Sequence, residues 1–321
     1  MTVVAGLCLI QASMACRDST APLWDLVDAA DLVVVADVER VSPTGPAEGA
    51  GSLDMPPFTD MAARLSIRET WKGDAPASLV VPFNDFATWP APPAYAEGSR
   101  IIALLRRSGG EWTTVGMSAG VIAATPATLE DLRQQVAQAV SLQGAVQVSE
   151  AHRMEWTVRS ALEPSTRADG FSALVPGESP CPGAIPRPTL LARRPSHEQL
   201  GRIAEAFVKE PASDQTLPDM LILLAGYSDR QVDLAAIHAV ESALQQPGPP
   251  AWTRDALVLL AERLGETGLP EAVTGGGLVL SADERRNLLV ELDAAAERIE
   301  SDGEPVGATG ATDPAASIDA P

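Results

Sequence analysis

Residues 63–73 read Ala-Arg-Leu-Ser-Ile-Arg-Glu-Thr-Trp-Lys-Gly. Leu65 and Ile67 alternate with Arg64, Ser66 and Arg68. A period of two places apolar side chains on one face and polar ones on the other, so this stretch is a half-buried antiparallel strand. Lys72-Gly73-Asp74 then supplies a turn, and Leu79 to Phe83 is the returning strand of a hairpin.

Three more stretches complete a β-rich region over residues 28–125. Asp31 to Val41 begins as an unbroken β-branched run and ends in alternation, which reads as a strand after a short helical turn at Leu23 to Ala29. Arg100 to Arg106 and Glu111 to Met117 form a hairpin around Ser108-Gly109-Gly110, and Gly120 to Ala124 adds a short strand. Ser42 to Pro57 is a long loop rich in Pro and Gly. Proline recurs between Asn84 and Gly98 and blocks ladder hydrogen bonds, so that segment crosses the barrel as a loop.

The succession Ala-Asp-Leu-Val-Val-Val-Ala-Asp-Val, Leu-Ser-Ile-Arg-Glu-Thr-Trp-Lys-Gly, Leu-Val-Val-Pro-Phe and Glu-Gly-Ser-Arg-Ile-Ile-Ala-Leu-Leu resembles bacterial secreted domains built on the OB-type barrel of netrin-like and metalloprotease-inhibitor modules. The resemblance covers about a third of the chain. It implies a small antiparallel β-barrel. It also implies protease inhibition through the barrel's N-terminal edge, where the inhibitors use the free amine of an N-terminal Cys. Cys16 is the matching residue here, but the Cys-x-Cys pattern of the inhibitors is broken by Asp18.

From residue 126 onward the period changes to that of helices. Thr128-Leu129-Glu130-Asp131 reads as a helix start, with Leu132, Val136 and Val140 on one face. Ser149 opens a second helix to Leu162, and Ser165 to Val175 is a short helix or turn. Residues 176–195 are a proline-rich loop. Helices are expected over His197 to Val208, Leu217 to Ala225, Arg230 to Gln245 and Trp252 to Leu264, and after the capping box Ser281-Ala282-Asp283-Glu284. Val232 to Leu244 resembles the inner helix of a HEAT-type repeat, though no firm period emerges and an irregular bundle fits equally. Residues 301–321 are Gly, Ala, Pro and acid without periodicity and are expected to be disordered. The fold class is therefore α+β in two domains, with an antiparallel OB-like barrel over 16–125 and an all-α bundle or short HEAT-like array over 126–300.

Residues 1–15 form a signal-like segment: an apolar run from Val3 to Ile10 followed by small residues to Ala15. No Lys or Arg precedes it, and the other reading is a buried first element. Ser13-Met14-Ala15-Cys16 resembles a bacterial lipobox, which implies acylation of Cys16 and blocks the amine that inhibition requires. Without acylation, Cys16 is able to pair with Cys181 in an oxidising compartment. No cysteine spacing suits zinc.

The net charge of −20 repels phosphate backbones and anionic headgroups, which argues against nucleic acid and leaves a lipid on Cys16 as the only route to a membrane. Arg64, Arg68, Lys72, Arg100, Arg106 and Arg107, with Trp71, Trp89, Tyr95 and Trp112, are the ingredients of a stacking groove. The simpler account is exposed Arg for solubility and Trp at the barrel ends. His152, His197 and His238 lie far apart and have no partner pattern. No phosphate-cradling loop or nucleophile elbow occurs, and Gly275-Gly276-Gly277 follows no strand. Neither catalytic residues nor a cofactor is indicated.

The least ordinary cluster is Trp156, Arg159, Thr166, Arg167, Asp169 and Gly170, a candidate interaction patch or a structural ionic fastening. The expected function is that of an exported, non-enzymatic binding or scaffold protein acting on another protein or an envelope component. Protease inhibition is the alternative, and an enzyme of unassigned reaction is the third.

Overall fold

The computed structural model describes residues 21–44, 60–85, 91–145, 148–175, 191, 194–265 and 280–301. The signal-like segment, Cys16, Cys181, Trp89, the glycine run at 275–277 and the tail from 302 lie outside them. By internal packing the chain divides into two compact units, Met1–Ile203 and Ala204–Pro321.

The first unit opens with α1 (Leu23–Ala29) and continues with β1 (Leu32–Pro43), β2 (Asp60–Lys72), β3 (Ser78–Asn84), β4 (Arg100–Ser108), β5 (Glu111–Thr114) and β6 (Val121–Ala123). All are antiparallel, in the order β3-β2-β1-β4-β5, with β6 also on β4. The sheet curls until β3 lies beside β5, giving a half-barrel. With the helices that follow, the fold is α+β. β5 stops at Thr114, short of the expected Met117. Gly116 and Met117 both take positive φ, and a 3-10 turn follows at Met117–Gly120.

The unbroken apolar run in β1 has a direct cause: both of its faces are buried. Leu32, Val34, Ala36 and Val38 line the inside of the curl with Ala63, Leu65, Leu79, Val81, Ile101, Ala103 and Leu105. Val33 and Val35 point the other way, against Leu23, Leu26, Val27, Leu132, Val136 and Trp156. Tyr95 closes the inside. Its ring packs on Phe83 at 5.1 Å, its hydroxyl meets the Thr114 Oγ1 at 2.7 Å, and burial pushes its pKa up to about 12.

Three helices complete this unit, α2 (Pro126–Gln143), α3 (Glu150–Leu162) and α4 (Arg167–Leu174), and α5 (His197–Lys209) runs across the boundary between the units. The N-cap of α2 is Thr125, three residues before the expected Thr128. Pro126 occupies the first helical position, and Thr128 completes a reciprocal box with Thr125. Ser149 caps α3 as expected, its Oγ accepting from the His152 N–H. Trp24 of α1 and Trp156 of α3 meet edge to face at 5.1 Å and 68° beneath the sheet. Gly170 lets α4 approach α3, since a Cβ there would lie 2.3 Å from the Ala161 nitrogen.

The second unit contains α6 (Thr216–Leu223), α7 (Arg230–Leu244), α8 (Trp252–Leu264) and α9 (Ala282–Ser301). Helix α8 packs on α6 and α7, and α9 packs on α7. Small residues allow this: Ala236, Ala239, Ala243, Ala256, Ala261 and Ala295 are buried between Ile237, Val240, Leu257, Leu260, Leu288 and Leu292. The capping box at α9 forms as expected, with the Ser281 N–H on Glu284 Oε2 at 2.7 Å and the Glu284 N–H on Ser281 Oγ at 3.2 Å. Among the described residues no helix is long and apolar enough to cross a membrane.

Candidate functional site: the outer face of the curled sheet

Alternation assigns the outer face strand by strand. Ala63 and Leu65 point inward, so Arg64 and Ser66 point outward; Leu79 and Val81 point inward, so Val80 points outward. By the same rule Asp37 lies outward on β1, and Arg100 on β4. Cross-strand partners share a face. The register therefore builds outer rows: Ser78, Ser66, Asp37 and Arg100; Val80, Arg64 and Arg40; Pro82, Ala62 and Ser42; and, at the end of β2, Asn84 and Asp60.

In the first row Asp37 is clamped between two arginines. Arg100 Nε donates to Asp37 Oδ1 at 2.7 Å, and Arg68 Nε donates to Oδ2 at 2.7 Å. These bonds, that from Arg100 first, hold the Asp37 carboxyl down at about 2. Toward α2 lies a second ionic group. Arg133 donates to Glu69 at 2.9 Å and to Glu130 at 2.6 Å, and its guanidinium stands 5.8 Å from the Trp71 ring centre. Trp71 Nε1 also donates to Glu69, so hydrogen bonds from Trp71 and Arg133 lower the Glu69 pKa.

The second row differs. Arg40 faces Arg64 directly across the β1–β2 ladder, both are exposed, and neither has an ion-pair or hydrogen-bond partner among the described residues. Like charges in directly opposed positions are destabilising. A bulge at Glu39 sets this register: the ladder steps from Val38–Leu65 to Arg40–Arg64, so β1 spends one extra residue there. Val80 continues the row at 47% exposure, one of the few large apolar side chains so exposed among the described residues. The face combines four guanidiniums, the carboxylates of Asp37 and Asp60, and an apolar strip of Val80, Ala62 and Pro82.

Of the residues singled out by sequence, Arg64, Arg68 and Arg100 lie on this face, whereas the candidate interaction patch lies elsewhere. Trp156 is a core residue, 1% exposed, whose Nε1 donates to the Gln135 carbonyl at 3.0 Å. Arg159 reaches Gln138 on the helix surface at 3.2 Å. Thr166, Arg167 and Gly170 are buried at the start of α4, where Thr166 Oγ1 donates to the Ser160 carbonyl. Asp169 follows in the first turn, and its carbonyl accepts from Ser172 Oγ. Trp71 and Trp112 are half-buried at the sheet margins, the latter under Arg107 at 5.7 Å. Arg40 had no signal in the sequence, because its outward direction depends on the bulge at Glu39.

His238 sits beside one perturbed carboxyl, Glu241. Burial, then hydrogen bonding and repulsion from Asp293, raise the Glu241 pKa, and His238 opposes this. Among the described residues no group of three His, Cys, Asp or Glu is placed to hold a metal ion. No protein-family model, no curated protein and no solved structure matches this chain.

Proposed function

We propose that this chain is an exported, non-catalytic binding or scaffold protein of the bacterial cell envelope. Its contact module is the curled sheet, read as OB-like, and its second part is a short HEAT-like helical array. One observation carries the binding reading: the row Val80–Arg64–Arg40 is exposed and holds two opposed arginines that have no compensating partner among the described residues. A face shaped for stability alone gains by placing Glu or Gln at one of those positions. Natural proteins retain such local conflicts at functional surfaces.

The envelope location rests on the signal-like segment and on Cys16 as a lipid attachment site, with a Cys16–Cys181 disulfide as the unlipidated form. Two measurements test the proposal. The intact mass of the mature protein from its native cell fraction reads cleavage and acylation at Cys16; a chain retaining Met1 in the cytoplasm defeats export. Photo-cross-linking from position 80 in intact cells reads contact at the sheet face. Absence of any adduct there, with adducts from other surfaces, defeats the assignment of that face.

A further inference from the structure

The chemistry of the same face names its partner. Resting on the binding reading above, we infer that the outer face of β3-β2-β1 docks an acidic polypeptide segment carrying alternating carboxylate and apolar side chains.

Charge is the first argument. The chain carries −20 overall, yet Arg40, Arg64, Arg68 and Arg100 gather on one sheet face against the carboxylates of Asp37, which Arg68 and Arg100 already hold, and of Asp60 at its far end. Against that background a local positive patch selects a local negative one. A uniformly charged polymer such as a nucleic acid or an anionic bilayer extends past the patch and meets the repulsive remainder of the protein.

Geometry is the second. Arg64 and Arg40 stand on neighbouring strands about 4.8 Å apart, and two-residue steps along a strand are about 6.7 Å. The Arg40–Arg64 row and the row of Arg100 lie about one such step apart, so carboxylates projecting from every second residue of an extended chain meet one row each. Arg supplies a planar fork that grips carboxylate through two parallel N–H bonds. The apolar strip is the third argument. Val80, Ala62 and Pro82 border the arginine row, and they suit a segment whose remaining side chains are apolar rather than sugar or phosphate.

The occupant also explains the opposed pair. A carboxylate seated between Arg40 and Arg64 converts a repulsive contact into two attractive ones, so the free protein is the strained state and the complex the relaxed one.

The test uses the full chain and a fluorescent peptide alternating Glu and Val, with a single-stranded oligonucleotide and phosphatidylglycerol vesicles as competing probes. Peptide binding is expected to weaken by about tenfold or more in the R40Q/R64Q double variant, to weaken as salt is raised, and to be unchanged in R286Q on α9. The urea midpoint of R40Q/R64Q is expected to stay at or above that of the parent, which separates lost binding from lost folding. Binding of the oligonucleotide or the vesicles in preference to the peptide, with the same dependence on Arg40 and Arg64, overturns the acidic-segment inference but leaves a binding face. Peptide binding that ignores the double variant also overturns it. No binding of any probe overturns it too, and cross-linking from position 80 then decides the broader reading.

Discussion

Gly73 lies directly against the Asp31 carbonyl: a Cβ at position 73 would sit 2.3 Å from that oxygen. The φ of Gly73 is +75°, and the next side chain back, Lys72, donates from Nζ to the Val27 carbonyl at 2.6 Å. The end of β2 is thus fastened to the last turn of α1 and to the entry of β1. Lys72 places its charge where the helix dipole is negative.

Gly73→Ala should destabilise the protein by about 2 kcal/mol or more, because the left-handed backbone cost and a backbone collision add. Gly109→Ala, at φ +59° with nothing within 4 Å of the added Cβ, should cost only about 1 kcal/mol. Urea unfolding of the two variants isolates the collision. Equal midpoints would remove the claim that Gly73 is fixed by contact with Asp31.

Much of this arrangement was legible in advance. The strands at Leu65, Val34 and Ile102 and the capped helix starts at Ser149 and Ser281 follow from local alternation and local hydrogen bonds, which act within a few residues. Other features were not legible because they depend on partners far away in the chain. Trp156 read as part of a cluster serving as an interaction patch or a structural fastening, but its place is decided by Trp24, over a hundred residues earlier. Thr128 looked like an N-cap until Pro126, with its fixed φ, took the first helical position and moved the cap to Thr125. Arg40 turns outward only because β1 bulges against β2 at Glu39, and a one-residue register step leaves no trace in composition or period.

The clamp on Asp37 predicts an acid-dependent loss of stability. Its carboxyl is lowered in the folded state to about 2, below the ordinary value near 3.8. A lowered folded pKa contributes stability above the unfolded pKa and loses it as pH falls through the folded one. Asp37→Asn should therefore be less stable than the parent at pH 7, and the difference should vanish between about pH 4 and about pH 2. Both arginines are about half exposed, so solvent screening keeps the difference at pH 7 near 0.2–1 kcal/mol. Urea midpoints of the pair across that window measure it; a pH-independent gap would mean the carboxylate charge is not what the arginines hold.

Glu241 predicts the opposite slope. Burial and the neighbouring Asp293 raise its pKa. A raised folded pKa gives stability that is complete below the unfolded pKa, near 4.5, and is lost as pH rises through the folded value. Glu241→Gln removes the charge that burial disfavours and keeps the shape. It should stabilise the second unit at pH 8 and change little at pH 4. Hydrogen exchange of α7 and α9 amides at the two pH values reads this locally. A destabilised Gln variant at pH 8 would show that His238 outweighs Asp293.

Arg263 is the residue whose loss should damage the second unit most. Its side chain is 7% exposed, and its guanidinium serves three elements at once. Nε donates to Asp233 on α7 at 2.5 Å, Nη1 to the Leu224 carbonyl at the end of α6, and Nη2 to the Tyr227 carbonyl in the turn between them at 2.6 Å. A planar fork meets three acceptors in fixed directions, which an ammonium on a flexible stem does not. Arg263→Met fills a similar volume but strands a carboxylate and two carbonyls, at a cost of about 3–5 kcal/mol. Arg263→Lys should recover only part of this, because one nitrogen cannot reach acceptors spread over three positions. Adding Asp233→Asn to Arg263→Met should cost less than the sum of the single changes, since the stranded charge is then gone. Additive losses in that double-mutant cycle would show that Asp233 and Arg263 act independently, and that the α6–α7 turn is held by packing on α8 alone.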